Sequence, residues 1–225
     1  MAGVLITIEG SDASGKATQT EMLHEVLVDS GFPVKKVTFP DYESESSALV
    51  KMYLHGSFGE DPEDVNPYVA STFFAVDRFA SYRMKWRKFY QEGGIIIADR
   101  YTTANMIHQA AKYTLLEERQ KFLDWLWHFE FQLYELPIPD LVIFLDVPPE
   151  LSRRLMQDRE NKITGLEEKD IHEKNKNFMV RSYKNSLAMA EKYGWQIIDC
   201  VDELGNLLSK KAIHDKIYRA VRQII

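Results

Sequence analysis

The 225-residue sequence contains a single cysteine, Cys200. An intramolecular disulfide framework is therefore excluded, and a reducing, cytoplasmic setting is expected. Cys200 sits among apolar residues after a strand-like run, where a thiol behaves as a small buried hydrophobe. No apolar run approaches the roughly 18 residues of a membrane span, so no membrane partner is expected. The opening MAGVLITIEG lacks the charged n-region of a signal peptide. No His/Cys set has metal-ligand spacing. Basic excess is missing too: 34 acidic against 28 basic residues give −6. This argues against nucleic-acid binding and leaves room for a local basic pocket. With no internal repeat, low-complexity tract or linker, residues 1–225 read as one domain.

What is present is an alternation of two patterns. Short β-branched apolar runs predict strands over 4–8, 34–39, 95–98, 141–146 and 195–199. Longer helical patterns lie near 17–30, 67–91, 115–135, 149–159, 170–193 and 205–223. Several strand runs are continuously apolar, as in strands covered on both faces. The fold class expected is α/β, with a parallel sheet of about five strands, right-handed crossovers and helices on both faces. Two polar segments interrupt the alternation. HGSFGEDPEDVNP (55–67) reads as a surface loop, and DRENKITGLEEKD (158–170) has the composition of a lid or binding loop. Phe122, Trp125, Phe129 and Leu133 share one helix face, suited to core packing or a dimer interface. Asp170-x-x-Glu173 has the form of a helix capping box.

The first strand feeds IEGSDASGKATQT (8–20). Gly10, Gly15 and Lys16 fall where the phosphate-binding loop needs them, but Ala17 replaces the hydroxyl that holds magnesium. Strand, glycine loop and helix start together form an anion site of inward N–H groups and helix dipole. Residues Gly10, Ser11, Asp12, Ala13, Ser14, Gly15, Lys16, Ala17 and Thr18 are thus the expected ATP contacts, with Lys16 reaching the β/γ-phosphates. Thr18 is turned about 100° from Ala17 and cannot take over its direction. Magnesium keeps several waters, so one lost hydroxyl need not abolish its binding; Asp12 and Asp99 are the candidate ligands.

Asp99-Arg100-Tyr101 ends a buried strand, where open α/β sheets face their ligand crevice. Arginine suits a phosphate there through its planar fork. Phe74 and Arg78, four apart, share a helix face. Phe74 is placed to stack on a base, and Arg78 to donate to a base oxygen or a phosphate.

Together IEGSDASGKATQ (8–19), FPDY (39–42), FFAVDR (73–78), DRYTTANMIHQ (99–109) and KDIHE (169–173) resemble the thymidylate kinase family. The resemblance implies a P-loop NTPase-like fold with a short lid, about 153–170, a homodimer, and transfer of the γ-phosphoryl of ATP to dTMP with Mg2+. It implies that Asp12 lies near acceptor phosphate and metal, that Arg100 binds the acceptor phosphate, and that Phe74 stacks on thymine. Arg78 then contacts a base carbonyl, while Asn105 and Gln109 line base and sugar. Two positions depart from the family pattern. Tyr42 stands where many members have arginine, and His108 where tyrosine beside the sugar helps exclude a 2′-hydroxyl. Position 17 varies among members, which keep the following threonine, here Thr18. Ala13 leaves the loop without the arginine some members carry there. The lid then supplies the catalytic cation, from Arg153, Arg154, Arg159 and Lys162, with Arg159 and Lys162 nearest the loop and favoured. At this point a kinase for dUMP, UMP or CMP and a non-catalytic nucleotide-binding protein stay open as alternatives.

Overall fold

The computed structural model describes residues 2–156 and 170–225. Strands β1 (Val4–Gly10), β2 (Val34–Thr38), β3 (Ile95–Asp99), β4 (Leu141–Asp146) and β5 (Gln196–Asp199) form one parallel sheet. Their order is β2-β3-β1-β4-β5. The chain steps outward from β1 to β2, returns to β3, and then crosses β1 to reach β4. The reversal of direction therefore lies at the carboxyl end of β1, where a parallel sheet opens its ligand crevice.

Successive strand residues serve two different cores, which is why these runs read as continuously apolar. Ile6, Ile8, Ile95, Ile97, Ile143 and Leu145 pack on one face against Leu23 and Leu27 of α1 (Lys16–Asp29). Ile213 and Ile217 of α10 (Lys210–Val221) complete that layer. On the other face Leu5, Ile96 and Ala98 meet Tyr82, Trp86 and Tyr101. Beside them Val142 and Phe144 meet Phe122, Leu126 and Met189. Cys200 is fully buried in the first layer, and burial followed by nearby Asp146 pushes its thiol up to about 12. Among the described residues no helix is long and apolar enough to cross a membrane.

The helices depart from the periodicity reading at identifiable places. The pattern over 67–91 divides into α3 (Pro67–Ser81), a wide π-type turn at Tyr82–Trp86, and α4 (Arg87–Gln91). Asn66 starts α3 by accepting from Tyr68 N at 2.9 Å, with Pro67 in the first turn. The pattern over 115–135 divides likewise into α6 (Leu116–Trp127) and a wide turn at His128–Leu133. The extra residue in such a turn rotates the apolar stripe. Phe122 is buried, Trp125 and Phe129 are half-buried, and Leu133 is 62% exposed, while Glu130 turns inward. The 170–193 pattern is two helices, α8 (Ile171–Lys174) and α9 (Lys176–Tyr193), separated at Asn175, whose side chain caps α9 by accepting from Phe178 N. Asp170 and Glu173 form the expected capping box on α8. Two short helices carry no long periodic signal: α2 (Ala48–Leu54) and α5 (Thr102–His108). Helix α7 (Pro149–Met156) leads toward the lid segment, whose residues 157–169 lie outside the described residues.

Ile97 is fully buried in the central β3 and contacts the α1/α10 layer. Ile97→Ala is expected to lower unfolding free energy by about 2–5 kcal/mol, measured by urea denaturation.

Candidate functional site

The carboxyl ends of β1 and β3 carry the charged residues of the sheet. After β1 the loop turns sharply: Gly10 has φ +158°, and a Cβ there would stand 2.6 Å from Ser14 Oγ. Ala13 (φ 59°) and Gly15 (φ 90°) also take left-handed conformations. For Ala13 this is a strained placement. Lys16 opens α1 and is buried, its ammonium donating to Gly10 O at 3.1 Å and Ser11 O at 2.7 Å. Burial and then Arg100 lower it to about 8. Ala17 is exposed and Thr18 half-buried.

Arg100 follows β3, also with positive φ (66°), and its N–H donates to Ile8 O at 3.1 Å. Its guanidinium donates to Asp12 Oδ1 at 2.5 Å and lies 3.6 Å from Glu9 Oε2. Burial opposes its charge, but Asp12, Glu9 and Asp99 outweigh that and hold it protonated. Arg100 also donates to His108 Nε2 at 3.2 Å, which leaves the imidazole proton on Nδ1. Burial, with Arg100 second, drops His108 to about 3, so the ring is neutral at working pH. His172 stacks on it with centroids 5.7 Å apart and is held neutral by burial and by His108. Tyr53 OH bonds His172 Nε2 at 3.0 Å.

One cavity runs from this charged end to an aromatic and amide end. Asp12, Lys16, Asp99 and Arg100 line it, with Tyr42, Phe74, Arg78, Asn105, His108 and Gln109. The residues expected from sequence to touch a phosphate acceptor and its base are thus brought together. Arg153 and Arg154 are exposed on α7, away from this lining. Arg159 and Lys162 lie outside the described residues. Periodicity and motif reading did not single out Asp170, His172 and Glu173 as wall residues of the cavity, although all three line it. The capping pattern that identified Asp170 and Glu173 gave no hint that α8 closes over the pocket. Nor were Asp77 and Glu130 singled out. Asp77 accepts from Asp41 N at 2.8 Å and Ser46 Oγ at 2.6 Å, tying the Tyr42 loop to α3. An isolated acid between Phe129 and Phe131 was the available signal for Glu130.

Four carboxylates (Asp12, Asp99, Asp170 and Glu173) line the cavity together with Lys16, Arg78 and Arg100. Asp170 is raised to about 7 by burial and then by Asp12 and Glu173. Among the described residues no cluster of three or more His, Cys, Asp or Glu side chains is placed to hold a metal alone. Carboxylates beside a phosphate loop suit a hard cation that arrives with phosphate oxygens and keeps its waters.

The raised Asp170 has a sign that can be checked. Between its unfolded value near 4 and about 7 the folded protein keeps a proton the unfolded chain releases. Its contribution to stability therefore falls as pH rises through that window. Asp170→Asn preserves the cap. Without nucleotide or metal, it is expected to melt above the parent protein at pH 8 and level with it at pH 4, by scanning calorimetry.

Comparison with known proteins adds a family to this geometry. A thymidylate kinase sequence model matches residues 8–210. The thymidylate kinase of Mycobacterium tuberculosis is 31% identical over 165 residues, covering 72% of this chain and 74% of that protein. That of Schizosaccharomyces pombe is 28% identical over 214 residues, covering 90% and 93%. The solved thymidylate kinase structure from Candida albicans shares the fold, with a TM-score of 0.72 at 24% identity over 99% of this chain and 92% of that one. Phosphate loop, Asp-Arg-Tyr turn and family match agree: the chain belongs to the thymidylate kinase family.

Proposed function

We infer that the protein transfers the γ-phosphoryl group of ATP to dTMP, giving ADP and dTDP. The observation that carries this reading is the single cavity with Lys16 and Arg100 at one end and Phe74, Arg78, Asn105 and Gln109 at the other. A nucleotide sensor has no use for a second, base-lined compartment beside its phosphate loop. In this reading the loop from Gly10 to Thr18 cradles the ATP phosphates. Arg100 and Tyr42 take the acceptor phosphate, Phe74 stacks on thymine, Arg78, Asn105 and Gln109 meet its polar edge, and His108 faces the sugar.

The acceptor is already an anion at neutral pH, so the reaction needs no strong base. It needs two polyanions held in line and their charge neutralised. Lys16 now donates to the loop's own carbonyls. A phosphate oxygen offers it a stronger, charge-assisted bond. Arg100 is held in place by Asp12 before substrate arrives, which fixes the acceptor end in advance. Magnesium, when bound, would offset phosphate charge, and Asp12 and Asp99 are the carboxylates that would hold it. The remaining cation comes from the lid, where Arg159 and Lys162 are the candidates. Closure over the site would exclude water, which competes as an acceptor.

The buried free thiol suits a cytoplasmic enzyme. Val69, Val76 and Phe79 on α3 are exposed at 48%, 41% and 37%, and Leu133, next in sequence to Tyr134, at 62%. Phe79 packs on Tyr134, which joins these side chains into one apolar face suited to a second copy of the chain.

Two outcomes follow. In a coupled ADP-release assay dTMP is expected to be the preferred monophosphate, and Lys16→Ala to lower kcat by about 100-fold or more. Preference for UMP or CMP, or a Lys16→Ala effect confined to ATP affinity, would contradict the reading. Val76→Asp is expected to convert a dimer to a monomer in sedimentation, with the chain still folded.

A further inference from the structure

The base end of the cavity is organised by a residue that no motif marks. Glu130 is fully buried, directed inward by the wide turn that follows α6. Its carboxylate accepts from Arg78 Nε at 2.6 Å and Nη2 at 2.5 Å, a two-pronged ion pair. It also accepts from Thr102 Oγ1 at 2.8 Å and Asn105 Nδ2 at 3.3 Å. We propose that Glu130 is a positioning residue that sets base specificity, by fixing which hydrogen-bonding groups Arg78 and Asn105 present to the acceptor. The inference rests on the dTMP kinase reading and deepens it.

The polarity of the pair follows from what each partner has left. Asn105 Nδ2 donates to Ser71 O at 3.4 Å and to Glu130 Oε1, both of which can only accept. The two amide hydrogens are thereby used, and the carbonyl oxygen is the group Asn105 offers the cavity it lines. Arg78 commits Nε and Nη2 to Glu130 and Nη1 to Tyr101 O at 3.4 Å. It keeps two of its five N–H groups, and its charge is matched by the buried carboxylate. A neutralised guanidinium beside a neutral amide suits an uncharged base edge and not a phosphate. The pattern presented is donor, then acceptor. A 4-oxo pyrimidine answers with a carbonyl and an N3–H. Cytosine presents an amino group and a bare N3, a mismatch at both places. A site built on buried polar groups rejects such a mismatch strongly, because those groups are left unpaired.

Glutamine at 130 would keep the shape but add a donor toward Arg78 or Asn105, releasing the Asn105 amide to turn over. The experiment compares the parent protein and Glu130→Gln on dTMP, dUMP and dCMP at saturating ATP, with a melting curve for each. In the variant, kcat/KM for dTMP is expected to fall about tenfold or more, chiefly through KM, with KM for ATP unchanged. The preference for dTMP over dCMP is expected to narrow by at least about tenfold. A folded variant with the parent's base preference, or an equal loss on all three acceptors, would overturn the proposal and leave Glu130 as an ion pair of the core. If Glu130→Gln does not fold, Glu130→Asp decides: it keeps the charge but withdraws the carboxylate from Asn105, and an unchanged dTMP-to-dCMP ratio refutes the proposal. A parent protein inactive on dTMP would instead count against the kinase reading itself, whatever the variants do.

Discussion

The site depends on two buried carboxylates that hold the same short helix. Glu9, at the end of β1, accepts from Tyr101 N at 3.1 Å and Thr103 Oγ1 at 2.7 Å. Glu130 accepts from Thr102 and Asn105. Helix α5 has no capping side chain of its own, and its first residues are instead anchored through their side chains to acids from distant parts of the chain. Each acid also faces an arginine: Glu9 lies near Arg100, and Glu130 binds Arg78. The phosphate end and the base end of the cavity are thus two ends of one hydrogen-bonded unit, and displacing α5 would disturb both.

Such an arrangement costs desolvation, and the protonation states record it. Burial pushes Glu9 upward while Arg100, Thr103 and Tyr101 pull it back. Two neutral histidines stack on each other, and one of them, His108, accepts from the arginine that stays charged. Near the phosphate loop burial, Asp12 and Glu173 raise Asp170. The cavity is therefore prepared in position before substrate arrives, as electrostatic preorganisation requires.

Much of this was legible in the sequence, for physical reasons. Continuous apolar runs gave five strands, because each strand is covered on both faces. Gly10, Lys16 and Arg100 stood out since phosphate binding needs particular backbone shapes and fixed charges. The wide turns at 82–86 and 128–133 were not legible: a 3.6-residue pattern has no term for one extra residue in a turn, and both turns keep good helix-forming sequence. Asp77 and Glu130 were missed for a related reason. Their partners lie 25 or more residues away, so nothing local distinguishes them from surface acids. The closing of α8 over the pocket was equally a matter of tertiary placement, since its capping box reads the same on any helix.

The reaction moves a phosphate group from one bound nucleotide to another. The direct measurement is to supply ATP labelled in its γ-phosphate together with unlabelled dTMP and follow the label. The account predicts that it appears in dTDP, with little inorganic phosphate formed. Label released only as inorganic phosphate, or retained in ATP while both nucleotides bind, would contradict it.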